Sequence, residues 1–269
     1  MSKQTALLLG LALACAILLI GASSVSAWKF AAIGDIECKS AVKVATSIKT
    51  HTPDVKRVVL LGDLGYGKSS KCIADAFKGL SLVVVVGNHD KAKDVQKSFG
   101  LTSNLISTYK TENVRFLTVD TEQSISAIKS KVSGLLNKYK NATDIDWIIP
   151  VSHKPYVTSD STHHKESEAK GFRSALVPLY VDNNKVQIVL FGHNHDYLHC
   201  SSDGIQFIQV GTGGRDPYPL GSATDDNCRN GITGTNGYLE VEVNGTDMVG
   251  VFKDMNGGMK EDTTFQILK

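Results

Sequence analysis

The sequence predicts an α/β fold, and two patterns along the chain lead to that prediction. Short runs rich in β-branched residues alternate with segments of helical periodicity, which is typical of βαβ units whose parallel strands are buried on both faces. After Gly192 the chain continues as short strands separated by Gly/Asn turns with no helix between them. We therefore expect the C-terminal third to be antiparallel.

The predicted elements follow in chain order. The strands that we expect to be parallel cover Trp28–Gly34, Arg57–Gly62, Leu82–Gly87, Val114–Val119, Trp147–Ser152 and Val186–Gly192. Helical periodicity occupies gaps between them at about 38–50, 68–80, 91–99, 121–139 and 166–181. The later strands cover Ile205–Val210, Tyr238–Val243, Met248–Lys253 and Thr264–Leu268. Because parallel sheets bind their ligands outside the carboxyl ends of the strands, we expect the functional site at that edge.

Composition excludes several classes of protein. The chain has 269 residues, 42% of them hydrophobic, which is an ordinary globular balance and not that of a disordered or coiled-coil protein. A net charge of +2 without a run of like charge implies no nucleic acid partner. No linker-like segment interrupts the middle of the chain, so we expect one folded domain.

The first 27 residues differ from the rest. Lys3 precedes an apolar stretch from Ala6 to Ala22, and small residues follow as far as Ala27. This pattern predicts a secretory signal peptide over 1–27 and a mature catalytic domain over 28–269, in a secreted or extracytoplasmic protein without stable membrane insertion. The alternative is an uncleaved N-terminal membrane anchor, because the apolar run is close to the length that spans a bilayer.

Four cysteines remain after that segment, and an even number in an exported chain indicates two disulfides, although free thiols are the alternative. Cys38 and Cys72 each follow one of the first two Gly-Asp motifs, so we expect them to lie near each other. This reasoning favours the pairs Cys38–Cys72 and Cys200–Cys228.

Residues able to bind metal ions follow five of the predicted strands. They are Asp35, Asp63, Asn88 with His89 and Asp90, His153, and His193 with His195. Carboxylates, imidazoles and an amide oxygen without a thiolate suit Zn, Fe or Mn. The set is larger than one tetrahedral ion requires, whereas two ions that share a bridging carboxylate would use all of it. Paired metal ions are typical of enzymes that displace a phosphoryl group.

The ordered motifs resemble the calcineurin-like metallophosphoesterase superfamily, from about residue 29 to 215. Tyr66 stands three residues after Asp63, as in the Gly-Asp-x-x-Tyr motif of purple acid phosphatases, and the glycine-rich segment 211–214 is also similar. The resemblance implies a four-layer αββα sandwich of two mixed sheets flanked by helices, in which the antiparallel C-terminal strands form much of the second sheet. It also implies a dimetal site at the carboxyl ends of the strands.

The resemblance further implies a ligand set. Asp35, Asp63, Tyr66 and His195 would hold the first ion, which would be Fe(III) in a purple acid phosphatase. Asp63, Asn88, His153 and His193 would hold the second ion, which would be Fe, Zn or Mn.

Other polar residues are expected around the metal ions. His89 resembles the family histidine that contacts the substrate phosphate, with Asp90 orienting its ring. His163 and His164 lie in the loop where the family has substrate-facing histidines, and either is a candidate proton donor to the leaving group. Lys154 and Arg215 lie beyond metal-motif strand ends and are candidates for further phosphate contacts.

Glu37 departs from the family pattern, because purple acid phosphatases usually have glycine at this position and many relatives have a histidine ligand. Glu37 is either an additional ligand that alters the first site or an acid in the first turn of the following helix, favoured by the helix dipole.

The sequence therefore predicts a secreted acid phosphatase-like enzyme in which hydroxide activated by the two metal ions attacks a small-molecule phosphomonoester. A phosphodiesterase acting on nucleotides or phospholipid headgroups would use the same ligands. A non-catalytic extracellular protein that binds phosphate or metal is a further alternative. The sequence gives no indication of the oligomeric state.

Overall fold

Two mixed β-sheets packed face to face organise the chain. The computed structural model describes residues 26–159, 167–220 and 228–269. Its strands are β1 (Trp28–Ile33), β2 (Val55–Leu60), β3 (Leu82–Val84), β4 (Thr108–Thr111), β5 (Val114–Val119), β6 (Trp147–Ser152), β7 (Ile188–Phe191), β8 (Tyr197–Ser202), β9 (Ile205–Val210), β10 (Arg229–Ile232), β11 (Gly237–Asn244), β12 (Asp247–Asp254) and β13 (Met259–Leu268). The helices are α1 (Cys38–His51), α2 (Lys71–Ala76), α3 (Ala92–Phe99), α4 (Ile125–Tyr139) and α5 (Ser167–Val181).

Each sheet combines parallel and antiparallel strands. The first sheet has the order β13-β12-β11-β1-β2-β3, in which β1, β2 and β3 are parallel and the other pairs are antiparallel. The second sheet has the order β10-β8-β9-β7-β6-β5-β4, with a parallel centre formed by β5, β6, β7 and β9. The parallel strands of both sheets end beside the loops that carry the predicted ligands.

The hydrophobic core is divided into three layers, because successive side chains of a strand point to opposite faces. Phe30 faces Phe116 of the other sheet, with their ring centroids 5.2 Å apart and nearly perpendicular. Ile33, on the other face of β1, packs with residues of α1, α2 and α3 outside the first sheet. Helices α4 and α5 cover the outer face of the second sheet. This arrangement confirms the predicted αββα sandwich.

The C-terminal third differs from the prediction in two ways. Strand β9 lies between β8 and β7. It is antiparallel to β8, with which it forms a hairpin, but parallel to β7. Strands β11 to β13 do not form a sheet with β8 to β10 but extend the sheet of β1. Sequence analysis also missed three short strands, β4, β8 and β10. Strands β4 and β10 are edge strands of only four residues. Strand β8 is largely buried, but its sequence includes polar residues that do not indicate a buried strand.

Both predicted disulfides are present. Cys38 pairs with Cys72 and joins the start of α1 to α2, and Cys200 pairs with Cys228 and joins β8 to the residue before β10. In the part of the chain that the structure describes, no helix has both the length and the apolar character needed to cross a bilayer. The predicted signal peptide lies almost wholly outside the described residues.

We expect Phe30→Ala to lower the free energy of unfolding by about 3–5 kcal/mol, because it opens a cavity between the two sheets. Chemical denaturation measures this change. Val42→Ala is the control, since Val42 is a well-exposed hydrophobic side chain on α1 and its truncation leaves the core intact. Equal losses in the two variants would contradict the role given to the interface between the sheets.

Candidate metal centre

All seven predicted metal ligands lie in loops that follow the carboxyl ends of strands from both sheets. Asp35 follows β1, Asp63 and Tyr66 follow β2, and Asn88 follows β3. The second sheet contributes His153 after β6, and His193 and His195 after β7. The sandwich thus brings together side chains that are separated by up to 160 positions in the sequence.

The backbone at this edge is unusual. Six described residues other than glycine have a positive φ, and four of them belong to the predicted ligand set: Asp35 (60°), Asp63 (54°), Tyr66 (48°) and His193 (73°). This left-handed conformation is uncommon for residues with a Cβ and carries strain, which is often found at functional sites. The strain at these positions turns the side chains toward a common centre.

Three predicted ligands form one donor group. The Tyr66 hydroxyl lies 2.7 Å from Asp35 Oδ1 and 2.8 Å from His195 Nε2, and Asp35 Oδ1 lies 3.6 Å from the same His195 nitrogen. Asp35 is fully buried, and its Oδ2 accepts a hydrogen bond from the backbone amide of His193. The group thus brings together three of the four residues expected at the first metal site, the fourth being Asp63.

A second donor group lies around His153. Asn88 Oδ1 is 3.0 Å from both His153 Nε2 and His193 Nδ1, and these two nitrogens are 3.3 Å apart. Asp63 Oδ1 is 3.3 Å from His153 Nε2. The ligand atoms of Asp35, Asp63 and His153 all lie within 4.8 Å of one another, so the two groups are contiguous.

Backbone carbonyl groups determine which imidazole nitrogens face the site. His153 Nδ1 lies 2.8 Å from the Leu61 carbonyl oxygen, and His195 Nδ1 lies 2.8 Å from the Asp216 carbonyl oxygen. A carbonyl oxygen only accepts, so in both rings Nδ1 carries the hydrogen and Nε2 faces the donor group. Metal-binding histidines typically show this arrangement.

The two buried carboxylates favour positive charge close to them. Burial raises the pKa of Asp35 to about 7, and the neighbouring charge of Asp63 acts in the same direction. Burial opposes ionisation of Asp63 too, but the charge and hydrogen bond of His153 outweigh it and lower the pKa of Asp63 to about 2. Burial opposes protonation of His153, yet attraction to Asp63 raises the pKa of His153 to about 9. Positive charge next to Asp63 is therefore stabilised.

In the first donor group, by contrast, the pKa shifts keep Tyr66 and His195 uncharged. Burial and the charges of Asp35 and Asp63 raise the pKa of the Tyr66 phenol far above its ordinary value. Burial lowers the pKa of His195 to about 4, so its imidazole is neutral near pH 7 and keeps a lone pair. Only a strongly charged cation would make the phenol a phenolate here.

The residues fit two metal ions. At the second group, His153 Nε2 faces an amide oxygen and a carboxylate oxygen, while Nδ1 donates to the Leu61 carbonyl oxygen. Without a metal ion, the raised pKa of His153 means that a proton on Nε2 occupies this position. Lone pairs at such distances repel one another unless a proton or a cation lies between them. The donor set contains oxygen and nitrogen but no sulfur, which is appropriate for Fe, Zn or Mn.

Two glycines allow the ligand loops to approach closely. A Cβ on Gly87 would overlap the Asp63 carboxylate, and a Cβ on Gly192 would lie 2.6 Å from Asp35 Oδ2. Both glycines precede ligand motifs that the sequence had singled out. Their role here is to make room for the carboxylates of neighbouring loops.

His89 lies at the rim of the centre. Its side chain is exposed, its ring centroid is 5.3 Å from that of Tyr66, and its backbone amide donates to Asp63 Oδ1. The expectation that Asp90 orients this ring is not met in the described structure. Asp90 Oδ1 instead accepts from the Leu64 amide and Oδ2 from the Gly87 amide, so Asp90 ties together the loops after β2 and β3.

Glu37 does not join either donor group. Its Oε1 lies 2.6 Å from Arg215 Nη1, and its Oε2 lies 2.6 Å from Lys39 Nζ. The hydrogen bond to Lys39 outweighs burial and lowers the pKa of Glu37. Glu37 is the N-cap residue of α1 but makes no side-chain capping hydrogen bond. Of the two alternatives left open for Glu37, a ligand of the first ion or an acid in the first turn of α1, the structure shows neither directly: both oxygens form ion pairs at the edge of the site.

His163 and His164, the candidate proton donors, lie outside the described residues.

Sequence analysis missed a buried polar network behind His193 and His195. Gln209 donates to Asp196, and Asn194 Nδ2 donates to Gln209 Oε1 (2.7 Å) and to Thr158 Oγ1 (3.0 Å). Asn194 and Asp196 flank the histidines in sequence, which is the only signal that pointed to them.

Comparison with known proteins agrees with this geometry. A sequence profile of the calcineurin-like phosphoesterase family matches residues 29–197. Purple acid phosphatase 19 of Arabidopsis thaliana is 31% identical over 87 residues, which cover 32% of this chain but only 22% of that protein.

Solved structures show the same fold at low sequence identity. Purple acid phosphatase PPD1 from yellow lupin (Lupinus luteus) seeds has a TM-score of 0.74 and 16% identity over 90% of this chain and 54% of that chain. GAP50, the anchor in the inner membrane complex of Plasmodium, has a TM-score of 0.72 and 16% identity over 90% and 88%. A dimetal phosphatase from Danio rerio has a TM-score of 0.58 and 13% identity over 90% and 98%.

The predicted resemblance to metallophosphoesterases, and to purple acid phosphatases among them, is confirmed by these matches. The family profile covers more than half of the chain and includes the loops of all seven predicted metal ligands. This chain belongs to the calcineurin-like phosphoesterase family.

Proposed function

We propose that this protein is a secreted, metal-dependent phosphomonoester hydrolase of the purple acid phosphatase type, with residues 28–269 as its catalytic unit. The observation that carries the proposal is the pair of contiguous donor groups around the buried Asp35 and Asp63 carboxylates. Family membership supports phosphoester hydrolysis. Two disulfides support an oxidising compartment.

In this proposal Asp35, Asp63, Tyr66 and His195 hold one metal ion, and Asp63, Asn88, His153 and His193 hold the other. When bound, the two ions would activate water as the nucleophile and neutralise charge on the phosphoryl oxygens. A phenolate ligand favours Fe(III) at the first position, with Fe, Zn or Mn at the second. Both oxygens of Glu37 form ion pairs, so in this proposal Glu37 is not a ligand of the first metal ion.

The remaining residues act on the substrate. His89 is exposed at the rim beside Tyr66, where its ring can donate a hydrogen bond to a phosphoryl oxygen. Its position depends on Asp63, because the Asp63 carboxylate accepts from the His89 backbone amide at 2.9 Å. His163 or His164 is proposed to supply the proton that the leaving alkoxide requires.

The test compares an aryl phosphomonoester with the matching diester, using protein loaded with metal ions. Hydrolysis of the monoester in preference to the diester is expected. Preference for the diester would indicate a phosphodiesterase with the same ligands. Absence of turnover of either ester by fully loaded protein would indicate a phosphate- or metal-binding protein.

Loss of a ligand and loss of a substrate contact should have different effects. Asp63→Ala and Asn88→Ala should abolish activity together with metal binding at the second position, because a ligand is lost and no neighbouring group replaces it. His89→Ala should retain both metal ions and lose rate by about two to three orders of magnitude. Elemental analysis and steady-state kinetics measure both effects, and equal metal loss in all three variants would refute the separate roles.

Tyr66 tests the identity of the first metal. Protein loaded with iron under oxidising conditions should be coloured by charge transfer from the phenolate to Fe(III), and Tyr66→Phe should be colourless while remaining folded. Tyr109→Phe is the matched control, because Tyr109 lies on β4 outside the metal centre and its loss should leave the visible spectrum unchanged. An active, colourless wild-type enzyme containing only divalent ions would contradict the purple-type assignment and leave the dimetal phosphoesterase unaffected.

A further inference from the structure

A cavity of about 330 Å³ opens beside Tyr66, and its charged lining consists of Glu37, Lys39, Lys68 and Arg215. We propose that this cavity binds a second anionic group, a phosphate or a carboxylate, on the leaving-group side of the substrate. This inference rests on the proposed phosphomonoesterase function and names the substrate class as small phosphomonoesters that carry a second negative charge.

Tyr66 is a wall shared by the cavity and the metal centre. Its hydroxyl faces Asp35 and His195 at 2.7 and 2.8 Å, while the guanidinium carbon of Arg215 lies 4.3 Å from the centroid of its ring. One aromatic ring thus separates the cationic side chain from the first donor group. A phosphoester held at the metal centre needs a leaving group of only about that size to reach the cavity.

The charge of the cavity favours an anion. Its lining contains three cationic side chains and one carboxylate, and Asp216, exposed next to Arg215, adds a second negative charge nearby. Glu37 is engaged by Lys39 and Arg215, whereas Lys68 makes no ion pair with any described residue. The positive excess next to a phosphate site therefore resides mainly on Lys68 and on the unshared part of the Arg215 guanidinium.

Arg215 keeps hydrogen-bond capacity. A guanidinium has five N–H donors, and Glu37 accepts from Nη1 at 2.6 Å. The Arg215 Nε atom is buried and has no hydrogen-bond partner among the described residues. With Nη1 donating to Glu37 and Nε buried, Nη2 is the guanidinium nitrogen left to donate to a carboxylate or phosphate in the cavity, in an orientation that Glu37 has fixed.

The size of the cavity limits what it binds. At about 330 Å³ it lies at the small end of ligand pockets in proteins, which begin at about 300 Å³. A single phosphate or carboxylate with its connecting atoms fits such a volume better than a nucleoside or a lipid chain. The positive charge of the lining and the small volume of the cavity together favour a compact substrate with two anionic groups.

The kinetic test compares 4-carboxyphenyl phosphate with phenyl phosphate. The wild-type enzyme should have the higher kcat/KM for the carboxylated ester, and the ratio should fall as salt is added, because exposed charges are screened. Lys68→Gln should lower kcat/KM for the carboxylated ester about two- to fivefold more than it lowers kcat/KM for phenyl phosphate, the size expected for one exposed charge pair. Lys71→Gln is the matched control, since Lys71 is an exposed neighbour that pairs with Asp75 and does not line the cavity.

A binding measurement separates failure of this inference from failure of the proposed function. Calorimetry with metal-loaded protein compares 4-carboxyphenylphosphonate with phenylphosphonate, neither of which needs to be hydrolysed. Tighter binding of the carboxylated compound, lost in the double variant Lys39→Gln/Lys68→Gln, supports the second anion site even if phenyl phosphate is not turned over. Equal affinities in the wild type, a preference that survives the double variant, or an equal effect of Lys71→Gln would overturn it.

Discussion

The burial of two carboxylates, Asp35 and Asp63, at the point where both sheets end is the constraint on which the rest of the site depends. Removing a carboxylate from water is costly unless positive charge or hydrogen bonds replace the lost solvation. Backbone amides of His193 and His89 provide part of that replacement. Metal cations would meet the remaining requirement, and Asp35, Asp63 and His153 offer ligand atoms within 4.8 Å of one another that could hold one.

The fold is built to hold this unfavourable arrangement. Four of the ligand residues adopt left-handed backbone conformations, and Gly87 and Gly192 lie against the carboxylates of neighbouring loops. Such strain persists only where the surrounding structure is rigid. The apolar layer between the sheets, with Phe30 against Phe116, fixes the strand ends from which these loops leave. Stability of the core and geometry of the centre are thus coupled.

Residues around the centre divide into supports and contacts. Both carboxylate oxygens of Asp90 accept hydrogen bonds from backbone amides of two loops, so Asp90 holds the loops of the centre together. Glu37 likewise engages cations, and by holding Arg215 over the Tyr66 ring it shapes the surface next to the first donor group. A carboxylate close to a ligand motif is therefore not by itself a ligand, because its partners decide its role.

The sequence by itself predicted an α/β fold and the polar residues that follow the strand ends, because strand periodicity and the residue after each strand are local properties. It also favoured both disulfide pairs, while the αββα class and the place of Tyr66 among the seven candidate ligands came from the resemblance of its motifs to a family. Tertiary structure alone decided the rest. The parallel placement of β9 depends on how the β8–β9 hairpin pairs with β7. The roles of Asp90 and Glu37 depend on partners distant in sequence, the Leu64 amide and Arg215. Likewise, the imidazole nitrogens that face the site are chosen by the carbonyl groups of Leu61 and Asp216, which no side-chain pattern reveals.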